Sequence, residues 1–92
     1  MALPVFTADP PGDVRTVALD GLVALFHVPS GTTHVVAPPA PQILEALHEG
    51  PGDARAILAR IAARYEIEEA GANELIDARL AELEDAGLVR RA

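Results

Sequence analysis

At 92 residues the chain has the size of one small domain, and although half of it is hydrophobic only 3% is aromatic, so its core must be built from Leu, Ile, Val and Ala. Without cysteine it holds no disulfide and no zinc–thiolate cluster. A formal net charge of −7, with arginine as the only strong base, gives a surface that repels nucleic-acid backbones and anionic lipid. The N-terminus lacks a basic stretch followed by a long apolar run, and nowhere do about 18 apolar residues occur in a row. A soluble cytoplasmic protein is expected, with neither nucleic acid nor membrane as a partner.

In chain order, residues 1–13 carry Pro4, Pro10, Pro11 and Gly12 and read as an N-terminal arm rather than a regular element, followed by a domain over residues 14–92. Val14 to Leu19 is rich in β-branched residues and ends at Asp20-Gly21, the strongest short hairpin signal. A second strand runs from Leu22 to Val28, Pro29-Ser30-Gly31 turns the chain, and Thr32 to Ala37 is the third. Centring the second hairpin on Ser30-Gly31 places His27 opposite His34, Phe26 opposite Val35 and Leu25 opposite Val36. Alternation then gives one face Ala24, Phe26, Val28, Thr33, Val35 and Ala37, and the other Val23, Leu25, His27, His34 and Val36. The first is expected to meet the helices. The second is apolar enough to require cover, by the Leu3–Phe6 arm or by a second copy of the chain.

Three helices follow. Ile43, Leu44 and Leu47 form the stripe of the first, which starts at Pro39 and stops before Gly50-Pro51. Asp53 caps the second, whose stripe is Ile57, Leu58, Ile61 and Tyr65. The third lies within residues 68–86, with Ile76, Leu80 and Leu83 inward and Gly87 placed to end it, after which Leu88 and Val89 return to the core. The predicted fold class is α+β: a winged-helix-like three-stranded antiparallel β-meander followed by three α-helices.

Little catalytic chemistry is visible. Two histidines facing one another across a hairpin can share a metal, but no third and fourth ligand stand near them, so no metal or other cofactor is expected; a pH-sensitive dimer interface is the other use of such a pair. Ser30 sits in a turn with no general base positioned by spacing, and the glycines form no phosphate-cradling loop. Eight acids between Glu66 and Asp85 against Arg79 alone read as a solvated helix face. No enzyme activity is expected.

A turn Pro-Ser-Gly followed by Thr33-His34-Val35-Val36 and Pro38, then Ile43, Leu44 and Leu47, and finally Leu80, Glu82, Leu83, Gly87 and Leu88, resembles the PqqD-like family over about Val14 to Val89. Members are peptide chaperones, or precursor-recognition elements, of ribosomally made and post-translationally modified peptides. The Thr-His-Val-Val-x-Pro strand is most similar to the subgroup associated with HPr-kinase-like proteins. The resemblance implies that the leader of a precursor peptide adds as an antiparallel strand to the third strand, in a groove bounded by the third helix, and is presented to a peptide-modifying enzyme. On that reading Thr33, His34, Val35, Val36 and Ala37 form the docking edge, and Leu75, Arg79 and Glu82 line the groove. Arg79 stands where the family often has a bulky apolar residue. An unblocked edge strand is itself a template for an extended peptide, and Pro38, Pro39 and Pro41, which cannot donate, close that template and start the helix. The same residues equally suit a tight strand-to-helix corner with no ligand, Leu75 being core and Arg79 a solvated partner of Glu82 or Asp85. Two other readings stand beside the peptide chaperone: a winged-helix DNA-binding domain, disfavoured by five acids against one arginine between Asn73 and Ala86, and a structural docking subunit of a modifying-enzyme complex.

Overall fold

A computed structural model describes residues 3–67 and 70–92. Its elements are strands β1 (Phe6–Ala8), β2 (Val14–Leu19), β3 (Leu22–His27) and β4 (Thr32–Val36), helices α1 (Ala40–His48), α2 (Ala54–Ala62) and α3 (Ala72–Asp85), and strand β5 (Val89–Arg91). β2, β3 and β4 form the expected antiparallel meander. Glu68, the lower bound that the sequence suggests for the third helix, lies outside the described residues.

The helices pack where their stripes predict, except that Tyr65 lies beyond the end of α2 and is exposed, its hydroxyl donating to Glu45. Ile43, Leu44 and Leu47 of α1, Ile57 and Ile61 of α2, and Ile76, Leu80 and Leu83 of α3 are all buried, and Leu88 and Val89 join them. Asp53 caps α2 by accepting from the Ala56 N–H at 2.8 Å. Gly87, at φ 79°, ends α3. Its N–H bonds Glu84 O and the next N–H, of Leu88, bonds Leu83 O, the paired closure that an αL residue after a helix permits. Arg60 of α2 terminates α1 from outside: its guanidinium donates to Gly50 O (2.7 Å) and Pro51 O (3.1 Å), carbonyls of the turn that follows α1, and to Ala46 O (3.1 Å), which also accepts from the Glu49 N–H.

Three sequence expectations are corrected. The arm is partly regular: β1 pairs antiparallel with β5, and Phe6 also exchanges backbone bonds with Gly52 and is buried in the core. The second hairpin closes with a four-residue loop, Val28 to Gly31, so His27 lies opposite Thr32 and His34 opposite Leu25. The register centred on Ser30-Gly31 would have required Pro29 to close the hairpin, and proline has no N–H to give. A shift of two residues keeps the division into faces but not their roles. The face carrying Leu25 and His27 is the inner one, with both residues buried and Val23 and Val36 packed against the core, while Phe26, Val28 and Val35 point outward.

What reverses the faces is the partner of His27. Its Nε2 lies 2.6 Å from Asp9 Oδ2, and Asp9 Oδ1 accepts from Arg90 at 2.8 Å, so the imidazole is buried without losing its hydrogen bonds. The same bonds, from His27 first and Arg90 second, hold the Asp9 carboxyl below the usual carboxylate range. A depressed carboxylate stabilises the fold above its unfolded-state pKa and loses that contribution as pH falls through the folded value. Asp9→Ala should therefore lower stability at neutral pH by about 1.5–3 kcal/mol in urea unfolding, and the gap to wild type should close as the buffer is taken below about pH 4. Arg60→Met should cost about 1–3 kcal/mol by the same measurement, from carbonyls left without donors.

Candidate functional site: the open edge beside the last helix

Backbone pairing decides which β4 groups are free. In an antiparallel ladder each residue directs its N–H and C=O to one side, and successive residues alternate. Val28 N–H bonds Asp13 O at 2.8 Å, toward β2, so His27, Leu25 and Val23 face β4. Their partners Thr32, His34 and Val36 are thereby engaged. Thr33 and Val35 turn their amides and carbonyls to the unpaired side. The edge ends where Pro38 and Pro39 follow and α1 begins at Ala40.

An open groove of about 560 Å³ runs along this edge, lined by Thr33, His34, Val35, Val36, Ala37, Ala40, Arg79, Glu82, Leu83 and Ala86. β4 forms one wall and α3 the other, because Arg79, Leu83 and Ala86 recur on one flank of the helix. Ala40, Leu83 and Ala86 make an apolar floor. Arg79 donates to Glu82 Oε1 at 2.8 Å, as a helix pair three residues apart does, while its Nε is buried with no partner. Seven of the eight residues that the sequence singles out thus meet in one groove. Leu75 does not: it is 44% exposed and lies over a neighbouring apolar hollow with Pro39, Leu58, Ile67 and Ile76.

A larger hollow of about 1310 Å³ adjoins α2 and the start of α3, lined by Leu3, Arg55, Leu58, Tyr65 and Asp77 among others, but no strand edge borders it. β2 has a free edge too, but among the described residues none of β2 lines either of these hollows.

Sequence reasoning missed a polar chain reaching this site. From Asp9 and His27 it continues through His27 Nδ1 to Ser30 Oγ (2.7 Å), Ser30 Oγ to Thr32 Oγ1 (2.6 Å) and Thr32 Oγ1 to His34 Nε2 (3.0 Å). Since the Asp9 carboxylate only accepts, His27 Nε2 donates to it, and a neutral ring then accepts the Ser30 hydroxyl proton at Nδ1. The expectation that Ser30 lacks a base is corrected: His27 is that neighbour, and no spacing rule reveals Asp9 eighteen residues upstream of it. The adjacent Gly31 N–H bonds His27 O and Val28 O, so it is not free to receive a developing oxyanion. His27 and His34 do not face one another as a metal-sharing pair would. Among the described residues no group of three or more His, Cys, Asp or Glu comes together as a metal set, and no helix is long and apolar enough to cross a membrane.

Fold and groove together define the class as a winged-helix-like α+β domain with a groove-bordered strand edge open beside its last helix. The family described as Coenzyme PQQ synthesis protein D (PqqD) matches residues 23–89, most of the chain, and the chain belongs to that family. Among solved structures it is similar to TbiB1 in complex with the TbiA(beta) leader peptide, with a TM-score of 0.62 and 21% identity over 91% of this chain and 94% of that one, a likeness of fold. No curated protein matches the sequence significantly.

The Arg79–Glu82 pair opens to solvent on its Glu82 side, with that side chain 65% exposed while Arg79 is half-buried, so the carboxylate contributes little to the fold. Glu82→Ala should change the free energy of unfolding by less than about 1 kcal/mol in urea titration; a larger loss would mean that the pair holds α3 in place.

Proposed function

We propose that this protein is a non-catalytic peptide chaperone of the cytoplasm, which binds the leader of a ribosomally made precursor peptide by β-strand addition to β4 and presents it to a peptide-modifying enzyme. The observation that carries this reading is the pair of outward-facing backbone sites at Thr33 and Val35 above a groove that the same β4 edge and α3 enclose. Main-chain bonds to those sites supply affinity that any sequence can use, and the groove supplies selection. Side chains of an added strand alternate, so every second one enters the groove between His34 and α3 while the others lie beside Val35 on the outer face. Arg79, already bonded to a solvated carboxylate, accepts a leader carboxylate in place of Glu82, and a leader that continues past Arg79 meets exposed Leu75 one turn earlier on α3. Membership of the PqqD family and likeness to a structure that holds a leader peptide support the same reading.

The DNA-binding alternative requires α3 to present cations to phosphates, whereas its single arginine is bonded to Glu82. The docking-subunit alternative differs in one respect, that no peptide binds.

Calorimetric titration with the leader peptide encoded beside this protein separates these readings. Val35→Pro removes one outward N–H without touching the β3 ladder and should weaken binding by about 2- to 13-fold, the equivalent of one net hydrogen bond of roughly 0.5–1.5 kcal/mol. Val36→Pro breaks a ladder bond to β3 and should lower thermal stability instead. Thr16→Pro on the opposite edge should leave affinity unchanged. Equal binding by wild type and a folded Val35→Pro variant excludes strand addition, and absence of any leader binding leaves the docking subunit.

Arg79→Glu should weaken an acidic leader by at least about tenfold, since it replaces attraction by repulsion in a half-buried site, and should spare a leader whose acids are changed to amides.

A further inference from the structure

We propose that the outer face of the β2–β3–β4 sheet is a contact surface between two copies of this chain. Register places Val17, Ala24 and Val35 in one row across the three strands, with Leu19 beside Leu22 in the row toward the Asp20-Gly21 turn and Phe26 in the row toward the other end. Val17 and Val35 are each 59% exposed and Phe26 is 39% exposed. Such a contiguous apolar sheet face is uncommon on a soluble monomer unless it meets another surface. No carboxylate occupies any outward position of these strands, although the chain carries 14 acids.

Charge argues for a second copy as the occupant. With a net charge of −7 on each copy, pairing through the acidic outer side of α3 opposes like charges, whereas the sheet face opposes none. Arg15 lies at one end of β2 on this face and exposed Asp20 follows its other end. A twofold axis in the plane between two such sheets, perpendicular to the strands, lays β2 antiparallel over its copy. That brings Arg15 of each protomer toward the partner subunit's Asp20, and two apolar sheets meet at the usual spacing of about 10 Å.

Size sets the strength. Strands of six residues span about 20 Å and three of them about 14 Å, a footprint near 280 Å² against roughly 800 Å² per partner in a stable interface. Association is therefore reversible and depends on concentration. It does not rest on peptide binding, which uses the edge of the sheet and leaves its outer face free.

Sedimentation velocity over about 5–500 µM tests the inference. Wild-type mass should rise toward that of a dimer, and Val17→Asp or Leu22→Asp, on strands away from the β4 edge, should shift the midpoint upward by at least about tenfold while circular dichroism stays unchanged. Because the chain has no cysteine, a nitroxide on Thr16→Cys, exposed near the middle of β2 and off the outer face, reports without altering the apolar residues, Arg15 or Asp20. It should give a shorter distance between copies than one on Asp77→Cys of α3. A wild-type chain that stays monomeric throughout overturns the proposal and leaves the face to a different protein. Dimers that persist in both aspartate variants, or that bring the α3 labels closer than the Thr16→Cys labels, overturn it as well.

Discussion

The contact between Asp9 and His27 decides which way the sheet faces. An imidazole on the inner side of a strand is costly unless both ring nitrogens are bonded, and here a carboxylate and a serine hydroxyl satisfy them. With that settled, Leu25 enters the core beside the helices and Phe26 is left outside. The carboxylate also receives Arg90, so one side chain joins the N-terminal segment, the meander and the C-terminal strand. Much of the architecture follows from fixing those three pieces together, because β1 and β5 then lie against the helices and Phe6 completes the core.

The helices were legible because each carries its own instructions. Ile43, Leu44 and Leu47, or Ile76, Leu80 and Leu83, recur at helical spacing, and Asp53 and Gly87 mark ends with local chemistry. Strands carry only parity. The sequence separates Leu25 from Phe26, but whichever face is buried depends on Asp9, and an aromatic next to a histidine points to the wrong choice. β1 and β5 were illegible for a related reason: each is three residues long, too short to carry a pattern, and they pair across almost the whole chain.

The candidate site was readable to the extent that it is backbone. Three prolines and a strand place the free edge, and the family resemblance places α3 beside it. Arg79 and Glu82 reach the groove because they share a helix flank with Leu83. Leu75 shares that flank too, but it sits a turn too early and falls over the next hollow. The line of hydroxyls from His27 to His34 links distant parts of the sequence through side chains of ordinary types, and nothing in their spacing announces it.

A three-stranded sheet with both outer strands unpaired is a ladder with two ends. The β2 edge and the β4 edge run oppositely to β3, and joining one to the other between successive molecules repeats the same contact. Such head-to-tail addition makes filaments wherever the rotation between molecules does not close a ring, and it is the hazard that open strands carry. The negative charge of the chain opposes it at a distance, but charge is screened by salt, so solutions of high ionic strength remove that protection. Any strand seated on β4 ends the ladder on one side, which makes occupancy of the edge a matter of solubility as well as of recognition.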